Sequence, residues 1–272
     1  MKNISFGQYY PAESLIHRLD ARAKVILTVL YIVCSFLCKN IISFALLALS
    51  AVLLVLLSNI PLRAVLRSIR PIIFVMLFTV VLNIFWTKGE KPLFSWWILT
   101  VYPEGIYSAL FMLIRILSLI IGTSIFMTYT TTPIALADGM EQLLSPLKKI
   151  KLPVHEFSMM MTVALRFIPT LIEETEKIIA AQKARGADFS SGGLIKRAKA
   201  LIPILIPLVI SAFRRADELA TAMECRCYRG GDGRTKLHVL RYSPLDFMMM
   251  IVVVLLGVIL VGFNLLSIGY SM

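Results

Sequence analysis

From Val25 to Leu57 the chain is apolar except at Lys39-Asn40. That run is too long for one crossing of a bilayer, which takes about 20 residues, and the polar break suits a tight turn between two short helices. A third span is expected from Pro71 to Trp86, a fourth from Gly105 to Tyr129, and a last from Leu245 to about Leu266. Asn59-Ile60-Pro61 ends the second. Only 16 % of the 272 residues are charged and 58 % are hydrophobic. A soluble domain carries about 25 % charge, so lipid is the expected solvent for much of this chain. The opening residues 1–20 contain no apolar core of signal-peptide length.

Basic residues set an expected orientation. Lys2, Arg18, Arg22 and Lys24 precede the first span, and Arg63, Arg67 and Arg70 join the second to the third. The first turn has only Lys39, and the third-to-fourth loop balances Lys88 and Lys91 against Glu90 and Glu104. The alternation predicts five spans in a plasma membrane, with the N-terminus cytoplasmic and the C-terminus outside. Trp86, Trp96, Trp97 and Tyr102 then fall at the outer interface. Asp20 is expected to cap the first membrane helix, and Arg18, Arg22 and Lys24 to face lipid phosphates. The net charge of +12 follows from this inner-leaflet bias and gives no reason to invoke nucleic acid.

The stretch Thr131–Tyr242 differs in kind, with 17 Lys and Arg and 11 Asp and Glu. Thr130-Thr131-Thr132-Pro133 reads as a helix start, with a polar cap before a first-turn proline. Ser145-Pro146 stops that short helix. Pro153 opens a long one, closed at Arg185-Gly186, in which Phe157, Met160, Met161, Ala164, Leu165, Ile168, Leu171 and Ile172 form one apolar face. After a turn at Ser190-Ser191-Gly192-Gly193, a second long helix is expected from Leu194 to Tyr228, ended by Gly230-Gly231-Asp232-Gly233. Its uncharged run Leu201–Phe213 contains Pro203 and Pro207 and is short for a span. We expect it to pack on its neighbour or at an interface, a sixth span being the alternative. The expected class is therefore an all-α integral membrane protein in three parts: spans 1–4 in 1–130, coupling helices in 131–242 and the last span in 243–272.

Catalysis and metal binding find little footing. His17, His155 and His238 are dispersed, Cys225 and Cys227 lack a usual zinc spacing, and no phosphate-binding GxxxxGK[ST] loop occurs. No catalytic residue, cofactor or metal is expected. Arg115 and Asn83 are nearly the only polar residues of their kind inside the spans, and a structural role is expected for each. Two other readings stay open. A self-contained transporter or channel would use Arg115, and a membrane-anchored enzyme would use the two cytoplasmic cysteines.

Two helix ends resemble each other, 41 residues apart: Ala184-Arg185-Gly186 and Cys225-Arg226-Cys227. A terminal arginine flanked by small residues can enter a groove and reach acidic groups there, although cations at helix C-termini are also favoured by the macrodipole alone. The sequence resembles the transmembrane (T) component of energy-coupling factor transporters, importers of vitamins and metals in prokaryotes. The resemblance is carried by Gly7-Gln8-Tyr9-Tyr10-Pro11 with Ser14–Lys24, by Leu165-Arg166-Phe167-Ile168-Pro169, and by the Ala-Arg-Gly motif, intact at Ala184–Gly186 and altered at its second copy. It implies a non-enzymatic coupling scaffold. In such a scaffold Arg185 and Arg226 with their flanks dock two ATP-binding-cassette ATPases, which bind the ATP. Met160, Met161, Ala164, Leu165 and Ile168 face a substrate-binding (S) membrane subunit.

Overall fold

A helix satisfies its own backbone hydrogen bonds, which lipid cannot do. Helices dominate the computed structural model, which describes residues 9–87, 94–96, 99–146, 153–187, 189, 193–230 and 240–265. In chain order they are α1 (Ala21–Leu37), α2 (Ile41–Ser58), α3 (Leu62–Ile69), α4 (Ile73–Trp86), α5 (Pro103–Thr123), α6 (Pro133–Leu143), α7 (Val154–Ala184), α8 (Leu194–Cys225) and α9 (Pro244–Leu265). A π-helical segment, Ser124–Tyr129, continues α5. Two short strands, β1 (Phe94–Trp96) and β2 (Leu99–Val101), pair antiparallel between α4 and α5. The sequence pattern did not announce this hairpin. The chain divides into two compact units, 1–143 with 239–272, and 144–238.

In the first unit α1 is central, touching α5, α6 and α9, while α2 packs on α5 and α9 and α4 packs on α5. Glycines bring the helices close: a Cβ at Gly105 would lie 2.9 Å from the Ile84 carbonyl oxygen, and Gly122 lies against the Tyr31 ring. Small residues at such crossings are the usual means of packing helices in lipid. Phe44 and Phe111 stack at 4.8 Å between ring centroids. On length and composition α2, α5 with its π segment and α9 can each cross a membrane, and α3 with α4 makes a fourth candidate bent by 62°. α1, with 17 residues, is at the short end of crossing length. Neither α7 nor α8 is among these candidates.

Two polar junctions hold the unit, one at each end of α1. At its start, Asp20 caps the helix by accepting from the Arg22 N–H at 2.9 Å. The Asp20 N–H in turn donates to Asp246 Oδ1 at 2.8 Å, across 226 positions of sequence. Asp246 also accepts from the Ser243 N–H at 2.6 Å, so Ser243-Pro244-Leu245-Asp246 is a capping box with proline at the first helical position. Lys24 is buried and donates to the Thr130 carbonyl at 2.7 Å and the His17 carbonyl at 3.3 Å. His17 is held by Ser14 Oγ at 2.7 Å and by the Tyr10 carbonyl at 3.0 Å. Arg22 pairs with Asp20 at 2.8 Å and lies over the Tyr242 ring at 4.0 Å.

The expectation that Arg22 and Lys24 face lipid phosphates is therefore corrected. Both turn inward, because converging helix ends leave carbonyls and carboxylates that need donors. Arg18 alone of that cluster is exposed.

At the other end, the Lys39-Asn40 turn falls where expected. Arg115 donates to the Cys38 carbonyl at 2.8 Å, Asn40 Nδ2 to the Phe263 carbonyl at 3.0 Å, and Asn264 Nδ2 to the Leu37 carbonyl. The carbonyls that α1 leaves open at its C-terminus are thus closed by side chains of α5 and α9. Asn83 likewise bonds within its own helix, to the Thr79 carbonyl at 2.9 Å. The predicted cap of α6 is present, with Thr132 Oγ1 accepting from the Ala135 N–H at 3.2 Å. That helix packs on α1 within the first unit, Gly139 meeting Ala21.

Several sequence features lie outside the described residues: Lys2 and the opening through Gln8, the loop charges Lys88, Glu90 and Lys91, Trp97, the turn residues Ser190-Ser191-Gly192, Gly231-Asp232-Gly233, and His238.

Asp246→Ala orphans the buried Asp20 N–H and the Ser243 N–H. At about 1–3 kcal/mol for each, the full chain should unfold in mixed micelles about 2–6 kcal/mol more easily, read from its denaturant or thermal transition.

Candidate docking site at two helix ends

The second unit is built on α7 and α8. Their partners run in opposite directions along the two helices: His155 and Met159 meet Tyr228, Glu174 meets Ser211 and Arg215, and Gln182 meets Pro203. The pair is antiparallel. Its middle is pinned by Glu174, which accepts from the Ser211 hydroxyl and pairs with Arg215 at 3.0 Å. The Ser211 bond does most to hold the Glu174 carboxyl below its ordinary value; partial burial opposes the shift and Arg215 adds to it.

Pro203 and Pro207 lie inside a continuous α8. Pro207 has no N–H to offer the carbonyl four residues back, which is that of Pro203. Gln182 Nε2 of α7 donates there instead, at 3.4 Å. A residue usually read as a helix breaker thereby supplies a cross-helix acceptor. The run Leu201–Phe213 is in this helix, and only Ile204 of it is buried; Leu205, Ile206, Ile210 and Phe213 are more than half exposed. The run meets α7 at Pro203 and Ser211 and buries Ile204, as expected of a packed segment, while most of its apolar side chains stay exposed.

The two predicted ends share one backbone geometry. After α7, the Gly186 N–H donates to the Lys183 carbonyl at 3.0 Å and the Ala187 N–H to the Gln182 carbonyl at 3.0 Å, with Gly186 at φ +86°. After α8, the Cys227 N–H donates to the Glu224 carbonyl at 2.9 Å and the Tyr228 N–H to the Met223 carbonyl at 3.0 Å, with Cys227 at φ +54°. Each is a Schellman motif with arginine as the C-cap and the next residue left-handed. Arg185 and Arg226 are both exposed, as are Ala184, Gly186, Cys225 and Cys227. The motif normally takes glycine at the left-handed position; cysteine there adds the steric cost of a Cβ facing a carbonyl. The altered second motif thus keeps the shape of the first.

Because the helices are antiparallel, the two arginines lie at opposite ends. Arg226 is level with about Met159, so a straight helix would put it about 40 Å from Arg185 at 1.5 Å per residue. The predicted platform residues are on α7. Met160, Met161 and Ala164 are exposed, while Leu165 and Ile168 are half-buried.

A family model described as cobalt transport protein matches residues 12–238. Over 246 residues the chain is 54 % identical to the energy-coupling factor transporter transmembrane protein EcfT of Ruminiclostridium cellulolyticum, covering 90 % of this chain and 91 % of that one. The chain belongs to the EcfT family. It is 52 % identical over 248 residues to the EcfT of Clostridium kluyveri, covering 91 % and 92 % of the two chains, and 45 % identical over 260 residues to that of Bacillus subtilis, covering 96 % and 98 %. As an EcfT-family protein it is a transporter membrane component and not itself an enzyme. Arg115, which a self-contained transporter would need in its pathway, is instead half-buried against the Cys38 carbonyl and 5.1 Å from the Phe44 ring. Among the described residues no group of three or more metal-ligating side chains forms.

Sequence reasoning placed both arginines but missed the Glu174 pin. Its signal was present as a lone Ser211 within an uncharged run, followed by Arg215 one turn later.

Two outcomes are expected. Cys227→Gly relieves the left-handed strain by about 1 kcal/mol, seen as slower amide exchange at residues 223–228. Glu174 has its carboxyl held below the unfolded value, so its contribution is full above that value, about 4.3, and is lost as pH falls through the lower folded one. Protection of α7 and α8 in the full chain, corrected for intrinsic exchange, should fall in that acid window, and Glu174→Gln should flatten the fall.

Proposed function

We propose that the chain is the coupling scaffold of an ATP-driven importer of a vitamin or other micronutrient. Two ATPase subunits of the ATP-binding-cassette type bind at Ala184-Arg185-Gly186 and at Cys225-Arg226-Cys227. Each arginine reaches acidic groups in a groove of its ATPase, and ATP is held by those subunits. A substrate-binding membrane subunit rests on Met160, Met161, Ala164, Leu165 and Ile168, where flexible thioether side chains adapt to partners of different shape. In the cell membrane of a prokaryote, five crossings, formed by α1, α2, α4, α5 and α9, anchor the scaffold. The N-terminus is cytoplasmic and the C-terminus outside, and the coupling segment 131–242 lies in the cytoplasm.

The observation that carries this reading is the repeated cap: the same six-residue backbone motif, with the same exposed arginine, at the two far ends of one antiparallel pair. The macrodipole favours any cation there, and arginine with small, exposed flanks at both caps also suits a groove lined by acidic groups. Spacing of tens of ångströms suits two separate partners better than one. The connectivity of the first unit supports the arrangement, since the chain leaves it after α6 and re-enters at α9, whose start meets the start of α1.

Arg185→Glu with Arg226→Glu is expected to strip both ATPases from the membrane component during copurification. Each reversal costs roughly 2–5 kcal/mol if the arginine meets a buried carboxylate, and the single variants should each weaken retention. An intact, fully active complex from the double variant would remove the assignment.

A further inference from the structure

The basic connection between α2 and α4 contains the helix α3. Taken at about 100° per residue, α3 has two distinct exposed sides. Leu62, Leu66 and Ile69 fall within about 60° of arc, and Arg63, Arg67 and Arg70 within another about 60°, the two centred about 100° apart. Val65 turns toward the bundle and is 4 % exposed, while Leu62 and Leu66 are 66 % and 63 % exposed. The inner side is anchored by the Tyr129 hydroxyl, which donates to the Ala64 carbonyl at 2.7 Å. Asn59, left-handed at φ +53°, turns the chain out of α2 and donates through Nδ2 to the Glu13 carbonyl at 3.3 Å. At its far end α3 meets α4 at 62°. α4 is the apolar member of this bent pair, and α3 is strongly inclined to it.

Among the described residues none of the three arginines has a counter-charge; the ion pairs there are Arg18–Glu13, Arg22–Asp20 and Arg215–Glu174. Arg63, Arg67 and Arg70 are exposed. Three uncompensated guanidinium groups one turn apart, beside a strip of exposed leucine and at the mouth of a membrane span, ask for a ligand that is anionic on one side and apolar on the other. A soluble acidic protein or a free phosphate would answer the arginines and leave Leu62 and Leu66 in water. A phospholipid answers both, with its phosphate on the fork-shaped guanidinium donors and its acyl chains along the leucines.

We propose that α3 is an in-plane binding site for anionic phospholipid, in which Arg63, Arg67 and Arg70 take the headgroup phosphates and Leu62 and Leu66 enter the acyl layer. The site belongs to the first unit alone and does not depend on how the coupling helices find their partners.

The test uses the full chain in mild detergent, titrated with dioleoyl phosphatidylglycerol or dioleoyl phosphatidylcholine, with bound lipid counted by native mass spectrometry. The wild type should prefer phosphatidylglycerol by about a hundred-fold, from roughly a five-fold gain for each of the three arginines. Arg63→Gln with Arg67→Gln and Arg70→Gln should abolish the preference, and the corresponding three Arg→Lys changes should keep most of it. Should the triple glutamine variant not purify, Arg67→Gln alone should lower the preference about five-fold. Leu62→Asn with Leu66→Asn should weaken retention of phosphatidylglycerol with the arginines in place. Equal retention of the two lipids by the wild type, an undiminished preference after loss of the arginines, or loss of the preference to excess inorganic phosphate would each overturn the site.

Discussion

The hydrogen bond from the Asp20 N–H to Asp246 is the contact on which the first unit most depends. It joins the starts of two helices that the chain separates by the whole coupling segment. One carboxylate closes the capping box of α9 and holds the residue that caps α1. Around it Arg22, Lys24 and His17 bind the opening segment and the end of the π helix to the same place. Asp20, Lys24 and Asp246 are buried, so opening the junction would leave them unpaired; it is costly to open and specifies which ends meet.

The opposite end of α1 is held by a different logic. There the orphan groups are carbonyls at a helix C-terminus, and the donors come from Arg115, Asn40 and Asn264. A cation at a helix C-terminus also meets the negative end of the peptide dipoles. This accounts for an arginine within an apolar helix without a transport pathway. It also shows how the first hairpin closes its backbone, with its turn level with the last residues of α9.

Much of this architecture could be read from the sequence, for identifiable reasons. Three helices long enough to cross a membrane and the Lys39-Asn40 turn followed from apolar length, the α6 cap from Thr132-Pro133, and the α7 stop from Arg185-Gly186. Interactions at long sequence separation were not legible, because nothing near Asp246 indicates that it will face Asp20. The inward turn of Arg22 and Lys24 was hidden for the same reason. Helix α3 was hidden differently: Arg63, Arg67 and Arg70 were counted as charges flanking a span, and a count discards their spacing of four and three. At the candidate site, the arginines were visible as a repeated motif. The shared left-handed cap at the second copy was not, since cysteine is a poor predictor of positive φ.

That cap has a consequence for assembly. The two ends of the α7–α8 pair are alike in backbone and unlike in bulk: Arg185 stands between a methyl group and a hydrogen, Arg226 between two thiols. One end is narrow and the other broad on an otherwise matching plan. If the two ends seat two ATPases as proposed, sockets fitted to them would differ in width and the pair would favour one direction, like a keyed connector.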